Sequence, residues 1–236
     1  MIMTMIETRL QAVRQRIGHA CTLAGRAVDS VTLLAVSKTQ PAEAVRAALA
    51  CEQRAFGENY VQEALAKITA LADVRGQLEW HLIGPLQSNK TRAVAEAFDW
   101  VHSVDRLGIA ERLSQQRPAT LAPLNICLQV NISGEDTKHG LAPADVPALA
   151  QQVARLPGLR LRGLMAIPEP AADPAAQRLP HHALHALLQQ LQAQGLAVDT
   201  LSMGMSADLE AAILEGATMV RIGTAIFGDR PRPAAS

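Results

Sequence analysis

The sequence is poor in cysteine, balanced in charge and free of long apolar runs, and each shortage removes a class of protein. Its 236 residues hold 22 Lys+Arg against 22 Asp+Glu, a formal net charge of zero. Bulk charge therefore selects no partner, and neither a nucleic-acid backbone nor an anionic membrane is expected. No apolar run reaches the roughly 18 residues that a membrane helix needs. Residues 1–16 carry Glu7 and three arginines and lack an apolar h-region, so no signal peptide is expected. Cys21, Cys51 and Cys127 form no CxxC pair. An odd, scattered set argues against a disulfide framework or a zinc site and fits a reducing cytoplasm. Lysine is scarce too, four against eighteen arginines. What is present is apolar: 49% hydrophobic and 19% charged residues exclude a disordered chain. The length allows one large α/β domain or two small ones.

Along the chain, Thr4 to Leu23 places Met5, Leu10, Val13, Ile17 and Ala20 at helical spacings, with Arg9, Arg14 and Arg16 on the wet side. This predicts an N-terminal helix over about 4–24 with no strand before it. Beyond Asp29 and Ser30 the texture changes. Strands are expected at 31–37, 54–57, 79–83, 100–103, 124–131, 160–166, 200–203 and 219–222. Helices are expected near 41–51, 60–72, 88–98, 106–117, 143–155, 174–194 and 206–215. Strict alternation implies a parallel sheet. Eight βα units in about 200 residues suggest a closed (β/α)8 TIM barrel over about 31–228. Runs such as Thr32–Val36 and Ile126–Val130 are nearly continuously apolar, as a sheet covered on both faces requires. No linker divides the chain. One barrel domain over 1–236 is expected, ending in a short frayed tail, Asp229–Ser236.

Barrel chemistry sits at the C-terminal ends of the strands. Strand one runs out into Val36-Ser37-Lys38-Thr39, so Lys38 leaves an apolar strand at the barrel mouth. Partial desolvation makes a neutral, nucleophilic amine accessible there, as an imine with a carbonyl substrate or with pyridoxal phosphate requires. From this position alone, a strand-end lysine that simply snorkels to water is the plainer reading. After strand seven, Ser206 opens the next helix, and after strand eight stand Gly223 and Thr224. These two loops are the usual phosphate site of such barrels. An ordinary Ser cap is the plainer reading of Ser206, and Asp208 beside it would repel a phosphate unless turned away. Arg221, in the last turn of strand eight, needs an acceptor: a strand carboxylate, or a ring nitrogen that it would keep unprotonated.

Other residues read more plainly. His181, His182 and His185 include an i,i+4 pair but match no zinc motif, and are expected on a solvated helix face. His81 and His102 are expected to be satisfied core histidines. Met203 and Met205 pack around the mouth. Cys51 and Cys127 are expected in the core. Glu58 and Glu63 are expected to pair with arginines at the rim, and Gln87 to Lys90 to form a rim helix start.

Blocks in order along nearly the whole chain then become recognisable: Leu34 to Thr39, Phe56 to Glu63, Trp80 to Lys90, Val101 to Asp105, Val130 to Glu135 with Lys138 and Gly140, Gly163 to Pro168, Leu201 to Asp208, and Val220 to Gly228. With these the sequence resembles the pyridoxal phosphate homeostasis proteins, whose barrel is similar to the N-terminal domain of alanine racemase, fold type III of the pyridoxal-phosphate proteins. The resemblance implies a Schiff base on Lys38. It implies a phosphate held by Ser206, Gly223 and Thr224, Arg221 facing the pyridine nitrogen, and Asn59 near the ring. Lys138 matches a further lysine that accepts the aldehyde during transfer. It implies a role without turnover: buffering pyridoxal 5′-phosphate, delivering it to apo-enzymes, and guarding amino-acid balance. The chain ends just past strand eight, so an open mouth suited to cofactor exchange and a monomer are expected. A racemase or lyase using the same cofactor, a class I aldolase using Lys38 alone, and an interaction protein with an idle lysine are the rival readings.

Overall fold

A computed structural model describes residues 2–134 and 139–228 of the chain. Lys138 and the tail Asp229–Ser236 lie outside the described residues, and so do the readings placed on them.

Eight strands close into one parallel barrel in chain order: β1 (Thr32–Val36), β2 (Ala55–Glu58), β3 (Glu79–Leu82), β4 (Trp100–Val104), β5 (Leu124–Gln129), β6 (Leu159–Met165), β7 (Thr200–Ser202) and β8 (Met219–Ile222). Closure is made by β1 against β8, with Leu34 opposite Arg221 and Ala35 opposite Ile222. The barrel read from alternation is therefore the fold of the chain. Each strand offers alternate residues to two cores. Ala35, Phe56, Trp80, Val101, Ile126, Leu164, Leu201 and Val220 face the helices and join the main apolar cluster. The inner face is filled by Leu34, Ala55 and Met219 in one cluster and Trp100, Cys127 and Met165 in another. Gly57 is part of this filling: a Cβ there would press on Leu34 and Ile83 at 3.2–3.3 Å.

The outer ring comprises α2 (Ala42–Ala50), α3 (Val61–Ala70), α4 (Thr91–Ala97), α5 (Leu107–Gln116), α6 (Val146–Val153), α7 (Pro174–Ala193) and α8 (Leu209–Leu214). After β8 the described residues hold the one-turn α9 (Thr224–Phe227). Its place in the ring is taken by α1 (Ile2–Leu23), which packs against α2, α8 and α9. The N-terminal helix thus completes the coat over β8 and β1. Its buried stripe is Ile6, Leu10, Val13, Ile17 and Ala20, at alternating steps of four and three, with Cys21 beside it. The large members are each worth about 1.5–3 kcal/mol of burial. Met5, expected on that stripe, is exposed, because the helical phase set by Leu10 and Val13 puts Ile6 on the inner face instead. Arg16, expected in water, turns back onto α8 and the loop before it. Cys127 is buried as expected, whereas Cys51 is only half-buried at the end of α2.

Candidate functional site

At the C-terminal end of the strands a cavity of about 450 Å³ is lined by Lys38, Asn59, Ser206, Arg221, Gly223 and Thr224, with Ile167, Gln129 and Met205 among its other walls. All six residues singled out from the sequence meet there.

The backbone on either side of Lys38 is pinned. Ser37 N–H donates to Gly57 O at 3.0 Å, and Ser37 Oγ donates to Glu58 Oε1 at 2.6 Å. Lys67 Nζ, 6% exposed on α3, donates to Ser37 O at 2.6 Å and Glu58 Oε1 at 2.7 Å, and pairs with Glu63 Oε1 at 2.6 Å. Glu63 in turn accepts from Thr39 N–H at 2.6 Å, and Thr39 has the left-handed φ of 64°. A β-branched residue holds that conformation only where its surroundings dictate it. The two glutamates expected to meet arginines therefore share one buried lysine. The reason is geometric: Glu63 and Lys67 are one helical turn apart, and Glu58 lies beneath them at the end of β2. Burial pushes the Glu58 carboxyl up, and Lys67 opposes that shift.

Asn59 reaches the cavity wall because Gly84 has no side chain: a Cβ at Gly84 would collide with the Asn59 backbone. Across the mouth, Gly204 at φ 91° turns the chain into a tight loop from Met205 to Asp208. The helix begins at Leu209, so Ser206 sits within this turn and not at the helix start expected for it. Asp208 faces away from the cavity. Its Oδ1 accepts from Met205 N–H at 2.7 Å, and its Oδ2 lies 2.9 Å from His181 Nε2. Both carboxylate oxygens are thus engaged outside the cavity lining. Arg16 braces the same loop from outside, donating to Ser206 O at 3.0 Å and to Glu210 at 2.8 Å. Gly223 begins the last turn and packs close to the end of β1, where a Cβ would stand 3.2 Å from Val36 O.

Arg221 is 4% exposed and has neutral partners: Nη1 donates to Ser202 Oγ at 2.9 Å and Nη2 to Ala166 O at 2.8 Å. Burial lowers its pKa to about 10, with Asp208 acting against it, so the guanidinium stays charged at neutral pH. His81 and His102 are buried and satisfied inside the barrel, as expected. His181 is also buried, which overturns its assignment to a solvated face; its neighbour His182 is the exposed member and pairs with Glu215. Among the described residues no cluster of His, Cys, Asp and Glu could hold a metal ion. The supports from Lys67, Arg16 and His181 were missed in the sequence; only the Glu63–Lys67 spacing hinted at one of them.

An amine, a fixed cation and a hydroxyl-bearing turn around one cavity suit a ligand with a carbonyl, an acceptor and an anionic group. The chain matches the family model described as alanine racemase, N-terminal domain, over residues 9–231. It is 62% identical over 228 residues to the pyridoxal phosphate homeostasis protein of Pseudomonas aeruginosa, covering 97% of each chain. The Escherichia coli K12 protein of the same name is 54% identical, with 95% of this chain and 97% of that protein covered. PipY of Synechococcus elongatus, solved with PLP bound, superposes with a TM-score of 0.82 at 40% identity, covering 94% of this chain and 100% of PipY.

Proposed function

The chain belongs to the family of pyridoxal phosphate homeostasis proteins, built on the alanine racemase N-terminal-domain barrel, and from that premise we propose that it carries pyridoxal 5′-phosphate as a Schiff base on Lys38. The observation that carries this reading is the convergence of Lys38, Asn59, Ser206, Arg221, Gly223 and Thr224 on one cavity. Lys38 supplies the amine. The Ser206 and Thr224 hydroxyls, with the backbone at Gly223, hold the phosphate. Asn59 lies beside the ring. The Arg221 guanidinium stays charged and can only donate, so it gives a hydrogen bond to the ring nitrogen and leaves it unprotonated. When bound, the cofactor supplies an aldehyde and an electron sink, and an unprotonated ring weakens the sink.

The role that follows is custody without turnover. The protein buffers pyridoxal phosphate in the cytoplasm, acts as a single-domain monomer, and hands the cofactor to apo-enzymes. Its three free cysteines suit a reducing compartment, and among the described residues no helix is long and apolar enough to cross a membrane. A racemase or lyase is the second reading, because His139 lines the same cavity and could serve as a second acid or base.

Incubation with pyridoxal phosphate should turn the protein yellow, and borohydride should trap the adduct on Lys38. Lys38→Ala should lose the visible band. A colourless protein after incubation, or an undiminished band in Lys38→Ala, would refute the assignment. Sustained turnover of an amino acid would favour the racemase or lyase.

A further inference from the structure

The barrel interior holds a continuous polar chain that starts at the mouth and ends on the opposite face. Arg221 Nη1 meets Ser202 Oγ at 2.9 Å, Ser202 Oγ meets His102 Nδ1 at 2.8 Å, His102 Nε2 meets His81 Nδ1 at 2.9 Å, and His81 Nε2 meets Glu79 Oε1 at 2.8 Å. His81, His102 and Ser202 are fully buried. Glu79 is the first residue of β3, at the N-terminal face of the barrel, and its side chain is 47% exposed.

Donor bookkeeping gives this chain a direction. Arginine only donates, an ionised carboxylate only accepts, and a neutral imidazole does one of each. Glu79 therefore takes the Nε2 proton of His81. The bare Nδ1 of His81 takes the Nε2 proton of His102. The bare Nδ1 of His102 takes the Ser202 hydroxyl proton, which leaves Ser202 Oγ to accept from Arg221. Every link is satisfied, and each donation toward the anion strengthens the next. The reverse direction would turn a lone pair of His81 toward Glu79 and give Ser202 two donors, with its own proton unplaced.

We propose that His81, His102 and Ser202 are positioning residues that transmit the charge of Glu79 through the barrel to orient Arg221 at the mouth. The proposal rests on the reading of Arg221 given above and adds a control point on the face remote from the site. The charged groups facing the two histidines are Glu79 on their own sheet, Arg221 of β8, and Arg162 of β6 over the Trp100 ring at 4.7 Å, itself paired with Asp199. Trp100 stacks on His81 at 5.3 Å and shields that side. Burial holds His102 well below the usual histidine range, with the Arg221 charge adding to the shift, in keeping with a neutral link.

The test is nitrogen NMR of the histidines in cofactor-free protein. Wild type should show His81 and His102 neutral with the proton on Nε2. Glu79→Gln keeps a carbonyl acceptor and should keep both tautomers. Glu79→Lys presents a donor and should reverse both, and should weaken pyridoxal phosphate binding about tenfold, the scale of one charge-assisted hydrogen bond. Thermal melts of both variants establish that they fold. A His102 tautomer that ignores Glu79→Lys, or unchanged affinity once it has reversed, would overturn the proposal. If the tautomers reverse and Arg221 resonances shift while wild type binds no pyridoxal phosphate, the relay stands and the functional reading fails.

Discussion

His181 Nε2 lies 2.9 Å from Asp208 Oδ2, so a buried side chain of α7 holds the loop that carries Ser206. Asp208 passes that restraint to the Met205 amide. The phosphate side of the cavity is therefore shaped from behind by residues that do not line it.

His181→Leu removes the donor and leaves a carboxylate oxygen unpaired in a mostly buried site. A loss of about 1–3 kcal/mol is expected by denaturant titration, with weaker pyridoxal phosphate binding and partial rescue by His181→Gln. Burial alone would raise the Asp208 carboxyl, but bonds from His181 and Met205 bring it below the ordinary value. A depressed carboxylate contributes stability above its unfolded-state pKa, near 4, and loses it as pH falls through the lower folded value. His181→Leu should shrink that acid-limb contribution.

Lys67→Met strands Glu58 in an apolar layer with no cation. The expected cost is about 3–5 kcal/mol, read from the urea midpoint. Without Lys67 the Glu58 carboxyl, already raised by burial, rises further. The folded variant then holds a proton that the unfolded chain releases, so its stability should fall as pH rises through that range. Adding Glu58→Gln should recover part of the loss and flatten the profile.

Gly84→Ala should force the Asn59 backbone away from β3. Such overpacking costs about 1–3 kcal/mol, and cofactor affinity should drop more than in a substitution on the far side of the barrel. Unchanged binding with lowered stability would show that Asn59 does not contribute to the site.

Burial pushes the Cys127 thiol up to about 12, and also raises Cys21. A disulfide reagent at pH 8 should leave both untouched in native protein and titrate all three cysteines after unfolding in guanidinium. Fast native reaction at Cys127 would mean that the inner core opens.

The strand positions were legible because a sheet covered on both faces needs short apolar runs, and Thr32–Val36 and Leu124–Gln129 carry them whatever their neighbours do. Lys38, Gly223 and Thr224 were legible for a related reason: in a closed parallel barrel, the residue after a strand stands at the mouth. The phase of α1 was legible as well. Ile6 stands four positions before Leu10 and seven before Val13, so helical phase puts it, and not Met5, on the face that packs on α2, α8 and α9.

Chain order and apolar spacing were enough to specify the barrel and which ends face its mouth, since both follow from local backbone periods and hand. What surrounds the site was decided in three dimensions. Arg16 and Ser206 are 190 positions apart, His102 and Ser202 are 100, and Lys67 and Ser37 are 30. No local pattern encodes such pairs. A buried polar group takes whatever partner closure brings within about 3 Å, and that partner is known only once the cylinder has closed.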